Sequence, residues 1–160
     1  MARIDEEFVI EQPIDKIFSY VHEPRNLPEF WSSLIEVKDI QSLPNGGYRV
    51  RWIYKMVGMR FEGVAENTTV VPNQLIIIET KGGIISTITW TFRSLENTEN
   101  ATRVTFTIEY KIPVPILGKL AEHIITKINQ QEMELMMANL QVRLLNQEPQ
   151  SVVSRVLFHR

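Results

Sequence analysis

The 160-residue chain contains no cysteine. That absence removes disulfides, thiolate nucleophiles and sulfur-ligated zinc together, and it fits a reducing compartment. An excess of either charge is missing too, since 17 Lys and Arg stand against 19 Asp and Glu, for a formal charge of -2. No basic field is available for nucleic acid, and no strongly acidic one for basic partners. Nowhere do about 18 apolar residues run together, so stable membrane insertion is not expected. The opening MARIDEEFVIEQP sets acids where a signal peptide needs an apolar core, and the expectation is a cytoplasmic protein. The three histidines, His22, His123 and His159, are far apart and lack HExxH or any other ligand spacing, so neither a metal nor a tightly held cofactor is expected.

What is present is an ordinary globular composition, 44% hydrophobic and 22% charged. A domain of this size hides roughly 70% of the surface its unfolded chain exposes, enough for a real core. With no repeat and no internal linker, the chain reads as one domain over residues 1–146, followed by a flexible tail over 147–160. RIDEEFVIE is a first strand. Pro13 then opens a short helix whose Ile14, Ile17, Phe18 and Val21 share one face, and PRNLPEFW makes a second short helical turn. From there to Tyr110, turn residues at Pro44 to Gly47, Val57-Gly58, Pro72-Asn73, Lys81 to Gly83 and Glu96 to Asn100 separate six strands of an antiparallel meander. After Pro113 and Pro115 comes the longest helical pattern, running through Leu117, Leu120, Ala121, Ile124, Ile128, Leu135, Met136, Asn139 or Leu140, and Leu144 to a stop expected at Pro149.

Three strands carry most of the aromatic bulk on a single face. Val50, Trp52, Tyr54 and Met56 alternate with Arg49, Arg51, Ile53 and Lys55. Ile84, Ser86, Ile88, Trp90 and Phe92 share one face of the next such strand, and Val104, Phe106, Ile108 and Tyr110 one face of the last. A two-residue loop at Val57-Gly58 sets Trp52 opposite Gly63 and Tyr54 opposite Phe61, so that a missing side chain makes room for a ring. Valine is a poor residue for the positive φ of that turn, and a bulge at Gly58 would shift the pairing by one. The outward Arg49, Arg51, Lys55 and Arg60 face Glu62 and Glu66, a mixed solvated surface.

Only one long helix is available to cover this apolar face. A twisted seven-stranded sheet bends around it, and a helix about 10 Å across leaves part of the gutter unfilled. The helical stripe also has a gap between Ile128 and Leu135, where Gln131 or Glu132 turns inward. An enclosure that is mostly apolar with a few polar groups suits a hydrophobic small molecule.

The segment FVIEQPIDKIFSYVHEPRNLPEFWSSLIEV, with the later GMRFEGVAE and the order of strand, two short helices, six strands and long helix, resembles the START-like or SRPBCC superfamily. Within it the likeness is to the polyketide cyclase/dehydrase and lipid-transport families, over Ile4 to about Leu145. The resemblance implies an α+β helix-grip fold, a seven-stranded curved antiparallel sheet wrapped around the C-terminal helix and a deep hydrophobic cavity. The residues expected to line that cavity are Phe30, Trp31, Trp52, Tyr54, Met56, Phe61, Trp90, Phe106, Ile108, Leu120, Ile124, Ile128, Gln131 and Leu135. The function expected is binding or carriage of a lipid, quinone or polyketide-like compound. Cyclase or dehydratase chemistry on the same frame is the alternative, with Tyr54 and Glu132 as the principal proton-transfer candidates beside His123 and Tyr110. A second alternative is an accessory role in assembly of a partner enzyme, through residues 150–160. Oligomeric state is left open by the sequence.

Overall fold

The computed structural model describes the backbone of residues 2–111 and 118–158 and the side chains of residues 2–111 and 126–146. Strand β1 spans Ala2–Ile10 and is followed by helix α1, Ile14–His22. Pro13 sits at the N-cap with no side-chain hydrogen bond, and Ile17, Phe18, Tyr20 and Val21 are buried. A 3-10 turn, Pro24–Asn26, leads into the four-residue helix α2, Leu27–Phe30. This corner is fastened by polar side chains. The Asn26 amide donates to the Tyr20 carbonyl (3.0 Å), and the Tyr20 hydroxyl donates to Glu29 (2.6 Å).

Six strands follow: β2 Leu34–Ser42, β3 Tyr48–Met56, β4 Met59–Val71, β5 Leu75–Gly82, β6 Ile85–Ser94 and β7 Thr102–Lys111. They pair antiparallel in one seven-stranded sheet of order β1-β7-β6-β5-β4-β3-β2, so β1 closes on the last strand of the meander. The turns fall where the glycines, asparagines and prolines of the sequence place them. Gly46, Asn73, Gly82 and Asn97 all have positive φ.

The β3–β4 hairpin has the two-residue loop and no bulge. Met56 pairs with Met59, Tyr54 with Phe61 and Trp52 with Gly63. Val57 (φ 50°) and Gly58 (φ 74°) both occupy the left-handed region, so the valine accepts a backbone that β-branched residues rarely adopt. On the convex side Arg49 pairs with Glu66 and Arg60 with Glu62, each at 2.9 Å, the mixed charged surface that the alternation predicts. Asn67 lies within β4, where its side chain accepts from the Tyr48 N–H (2.6 Å) as part of the strand's own bonding.

Helix α3 spans Gly118–Phe158. It therefore continues through Pro149, where the periodicity placed a stop. A proline inside a helix removes one i to i−4 bond at about 3 kcal/mol, which does not by itself end the element. The docking peptide suggested at 150–160 lies outside the described side chains. Among the described residues no helix is long and apolar enough to cross a membrane.

Candidate functional site

Pairing across β4 to β7 sorts the concave face into rows of graded size. Ile76, Trp90 and Phe106 share a row, Ile78, Ile88 and Ile108 the next, and Ala65, Thr80, Ser86 and Tyr110 the one after. The first row is filled. Trp90 packs edge-on against Phe106 (centroids 4.8 Å apart) and Phe30 (6.3 Å), and all three are at most 1% exposed. Farther along α3, Met136, Met137, Leu140 and Leu144 are also fully buried.

The small row is not filled. A cavity opens there between the sheet, the α2 corner and the start of the described part of α3. It offers about 100 Å³ to the centres of water-sized spheres, within about 850 Å³ of atom-free space that includes its opening. A single water needs about 10–15 Å³ on the former measure, so the space is that of a small organic molecule. Its described wall is almost wholly apolar, and among the described residues no Lys, Arg, His, Asp or Glu lines it. Leu27 and Trp31 reach it from the α2 corner, and Asn129 and Met133 from α3.

Gly63 makes room for the Trp52 ring, as the pairing predicts. A Cβ at Gly63 would stand 2.5 Å from Trp52 Cζ2 and nearer still to the Lys81 carbonyl. The Trp52 ring thus occupies the space over Gly63 that a side chain would fill, and Trp52 lines the cavity.

The polar groups around this space fall into three sets. Thr80 and Ser86 hydroxyls hydrogen-bond each other (2.6 Å), and Thr80 also donates to the Ile84 carbonyl (2.9 Å). The Trp31 indole N–H donates to the Tyr54 hydroxyl (3.3 Å), and the Asn129 amide donates to the Tyr110 hydroxyl (2.8 Å). The Trp52 Nε1 and the Asn129 Oδ1, by contrast, are buried without any hydrogen-bond partner. Burial, with the charge of Glu132 nearby, raises the Tyr54 phenol well above its ordinary range, so it is a neutral hydroxyl at physiological pH. Burial also raises the Glu132 carboxyl, against an opposing hydrogen bond from the Ser33 backbone. Its Oε1 is buried and unpaired.

The structure brings together Trp31, Trp52, Tyr54, Met56, Trp90 and Ile108 on the cavity wall. Phe30, Phe61 and Phe106 are buried but do not line it; Phe30 and Phe106 are absorbed by ring packing in the filled row. Ile128 and Leu135 are 40% and 52% exposed, and Gln131 is exposed as well, so their inward assignment is corrected. They share the outer face of α3 with the exposed Val142 and Leu145. The inner face is Asn129, Met133, Met136 and Met137 together with Leu140 and Leu144. The side chains of Leu120, Ile124 and His123 lie outside the described residues. Glu132 is half-buried beside the wall rather than on it, so of the two principal proton-transfer candidates only Tyr54 faces an occupant. Among the described residues no group of His, Asp and Glu is placed to hold a metal ion.

A curved antiparallel sheet gripping one long helix, with an apolar chamber between them, defines the START-like helix-grip class. Residues 10–136 match the family model described as polyketide cyclase/dehydrase and lipid transport, and the chain belongs to that family. No curated protein sequence matches it significantly. Similar solved structures include a Thermus thermophilus protein (23% identity, TM-score 0.70, covering 91% of this chain and 98% of that one). A START superfamily protein from Mycobacterium smegmatis is 11% identical with a TM-score of 0.76, over 90% and 97% of the two chains. An aromatase/cyclase from a Streptomyces species is 10% identical, also with a TM-score of 0.76, over 89% and 93%. At these identities the likeness is one of fold.

Proposed function

We propose that the protein binds and shields a hydrophobic small molecule, of lipid, quinone or polyketide-like character, in the chamber between sheet and α3, acting as a carrier or binding protein of the cytoplasm. The observation that carries this reading is the cavity itself. Well-packed interiors leave few voids larger than a water molecule, yet here a nearly apolar space several times that size persists under a complete sheet. Removing ligand surface from water supplies the affinity, about 2.5 kcal/mol per 100 Å² before ordering is subtracted. The family description and the absence of charged groups among the described wall residues support the same reading.

The experiment is extraction. Protein purified from its native host under non-denaturing conditions is unfolded in organic solvent and analysed by mass spectrometry. A single class of apolar compound near one equivalent per chain is expected. Repeated preparations carrying none would count against the proposal.

A further inference from the structure

Two residues of the cavity wall, Trp52 and Asn129, each carry a buried polar atom without a partner, and those atoms define what the occupant has to offer. Trp52 is 7% exposed and Asn129 is 5% exposed, so neither reaches bulk water freely. The indole Nε1–H can only donate. The amide of Asn129 is tied at one end to the Tyr110 hydroxyl, and its other end is buried and unpaired. Turning that amide over exchanges its oxygen and nitrogen but still leaves one end free, because the phenol can accept or donate. The remaining polar side chains on the wall are engaged: Thr80 with Ser86, and Tyr54 with Trp31.

Unpaired groups at such depth are rare, and each is destabilising until a partner arrives. Among the described residues the wall holds no cationic side chain, so beside them a carboxylate or phosphate would lose its hydration with no counter-charge. A bare hydrocarbon would fit the apolar surface but leave both atoms orphaned. A hydroxyl both donates and accepts, and it carries no charge.

We infer that the occupant is a neutral, mostly apolar molecule bearing a hydroxyl-type group, recognised by the Trp52 indole N–H and the free end of the Asn129 amide. This rests on the binding reading above and adds the class of ligand. Trp52 and Asn129 then act as specificity determinants, while the isoleucine row supplies contact area.

The test uses the full chain and three probes that share one ring system: naphthalene, naphthol and naphthoate, titrated calorimetrically at neutral pH. Naphthol is expected to bind at least about tenfold tighter than naphthalene, the equivalent of about 1.4 kcal/mol, with naphthoate weakest. In Asn129→Leu and in Trp52→Phe the advantage of naphthol over naphthalene is expected to shrink to about threefold or less. Equal affinity for naphthalene and naphthol in the unmodified protein overturns the inference and leaves the binding reading standing. So does tightest binding of naphthoate, or a preference for naphthol undiminished in both variants. Saturable binding of none of the three overturns the inference and the binding reading together. If circular dichroism shows that a variant does not fold, the comparison of probes on the unmodified protein still decides.

Discussion

Gly63→Ala isolates the contact that lets the Trp52 ring occupy the space over Gly63. The added methyl would stand 2.5 Å and 2.9 Å from two atoms of the Trp52 ring and closer to the Lys81 carbonyl of the neighbouring strand. The ring can tilt away, but the carbonyl belongs to the β4–β5 ladder, where Gly63 pairs with Gly82. Overpacking of this kind destabilises by about 1–3 kcal/mol. For a chain of this size that lowers the melting temperature by about 2–4 °C per kcal/mol. Urea unfolding followed by tryptophan fluorescence gives the free energy, and thermal circular dichroism gives the midpoint. Gly58→Ala is the control. Its φ is +74° with nothing within 4 Å of an added methyl, so its loss arises from backbone strain alone and leaves the cavity unchanged. Gly63→Ala should additionally weaken binding of a cavity ligand, because the displaced indole moves into the space or turns its N–H away. A Gly63→Ala protein as stable as the parent to within about 0.5 kcal/mol, with unaltered ligand affinity, would refute the packing argument.

Two further substitutions probe the turn and the half-buried acid. Val57 is 56% exposed at φ 50°, so Val57→Asn should stabilise by about 0.5–1 kcal/mol in urea unfolding, and a loss of stability would contradict the left-handed turn. Glu132 binds its proton more tightly folded than unfolded, because burial raises its pKa. Its contribution to stability is therefore fully present below the ordinary glutamate range and is lost as pH rises from about 4.5 through the raised folded value. Glu132→Gln should be the more stable protein at neutral pH, with the gap closing toward acid, and parallel stability profiles for the two proteins would remove the desolvation argument.

The fold was legible because its signals are local and repeated. Alternation in β6 and β7 carries through to the burial pattern, in β3 it fails only at Ile53, which is buried although it alternates with the wall residues, and glycine and asparagine turns mark every hairpin. Even the pairing of Trp52 with Gly63 follows from one two-residue loop. The cavity wall was legible on the strands and at Trp31 of the α2 corner, but not on α3. On α3 the reading went wrong at Ile128, Gln131 and Leu135, which face outward, whereas Asn129, Met133, Met136 and Met137 join Leu140 and Leu144 on the inner face. Periodicity alone does not resolve this, since Ile128 and Leu135 form as good a stripe as Met133 and Met137, and only the position of the sheet decides between them. Asn129 was missed for the same reason. A buried amide next to Tyr110 is visible only once β7 and α3 are set side by side. The assignment of Phe30 and Phe106 to the wall failed differently. Alternation locates the bulk correctly but does not separate rings that pack on rings from rings that face a void.

That separation is the physical origin of the chamber. Sheet curvature makes a gutter along its whole length, and one helix crosses it, so curvature alone would leave space everywhere or nowhere. What localises the space is the register. Pairing brings Trp90 and Phe106 together in one row and Ala65, Thr80 and Ser86 together in another, farther along the same strands. The bulky row meets the α2 corner through Phe30 and closes that end. Of the described α3 side chains only Asn129 and Met133 line the space at the small row, and the described residues do not replace the volume missing from three adjacent side chains. A slip of one residue in β6 would turn Trp90 and Ser86 to the solvent face and erase the gradient. The tight turns that set the register are thus as much a part of the binding site as the residues that line it, although among their residues only Ile84, in the β5–β6 connection, lines the cavity.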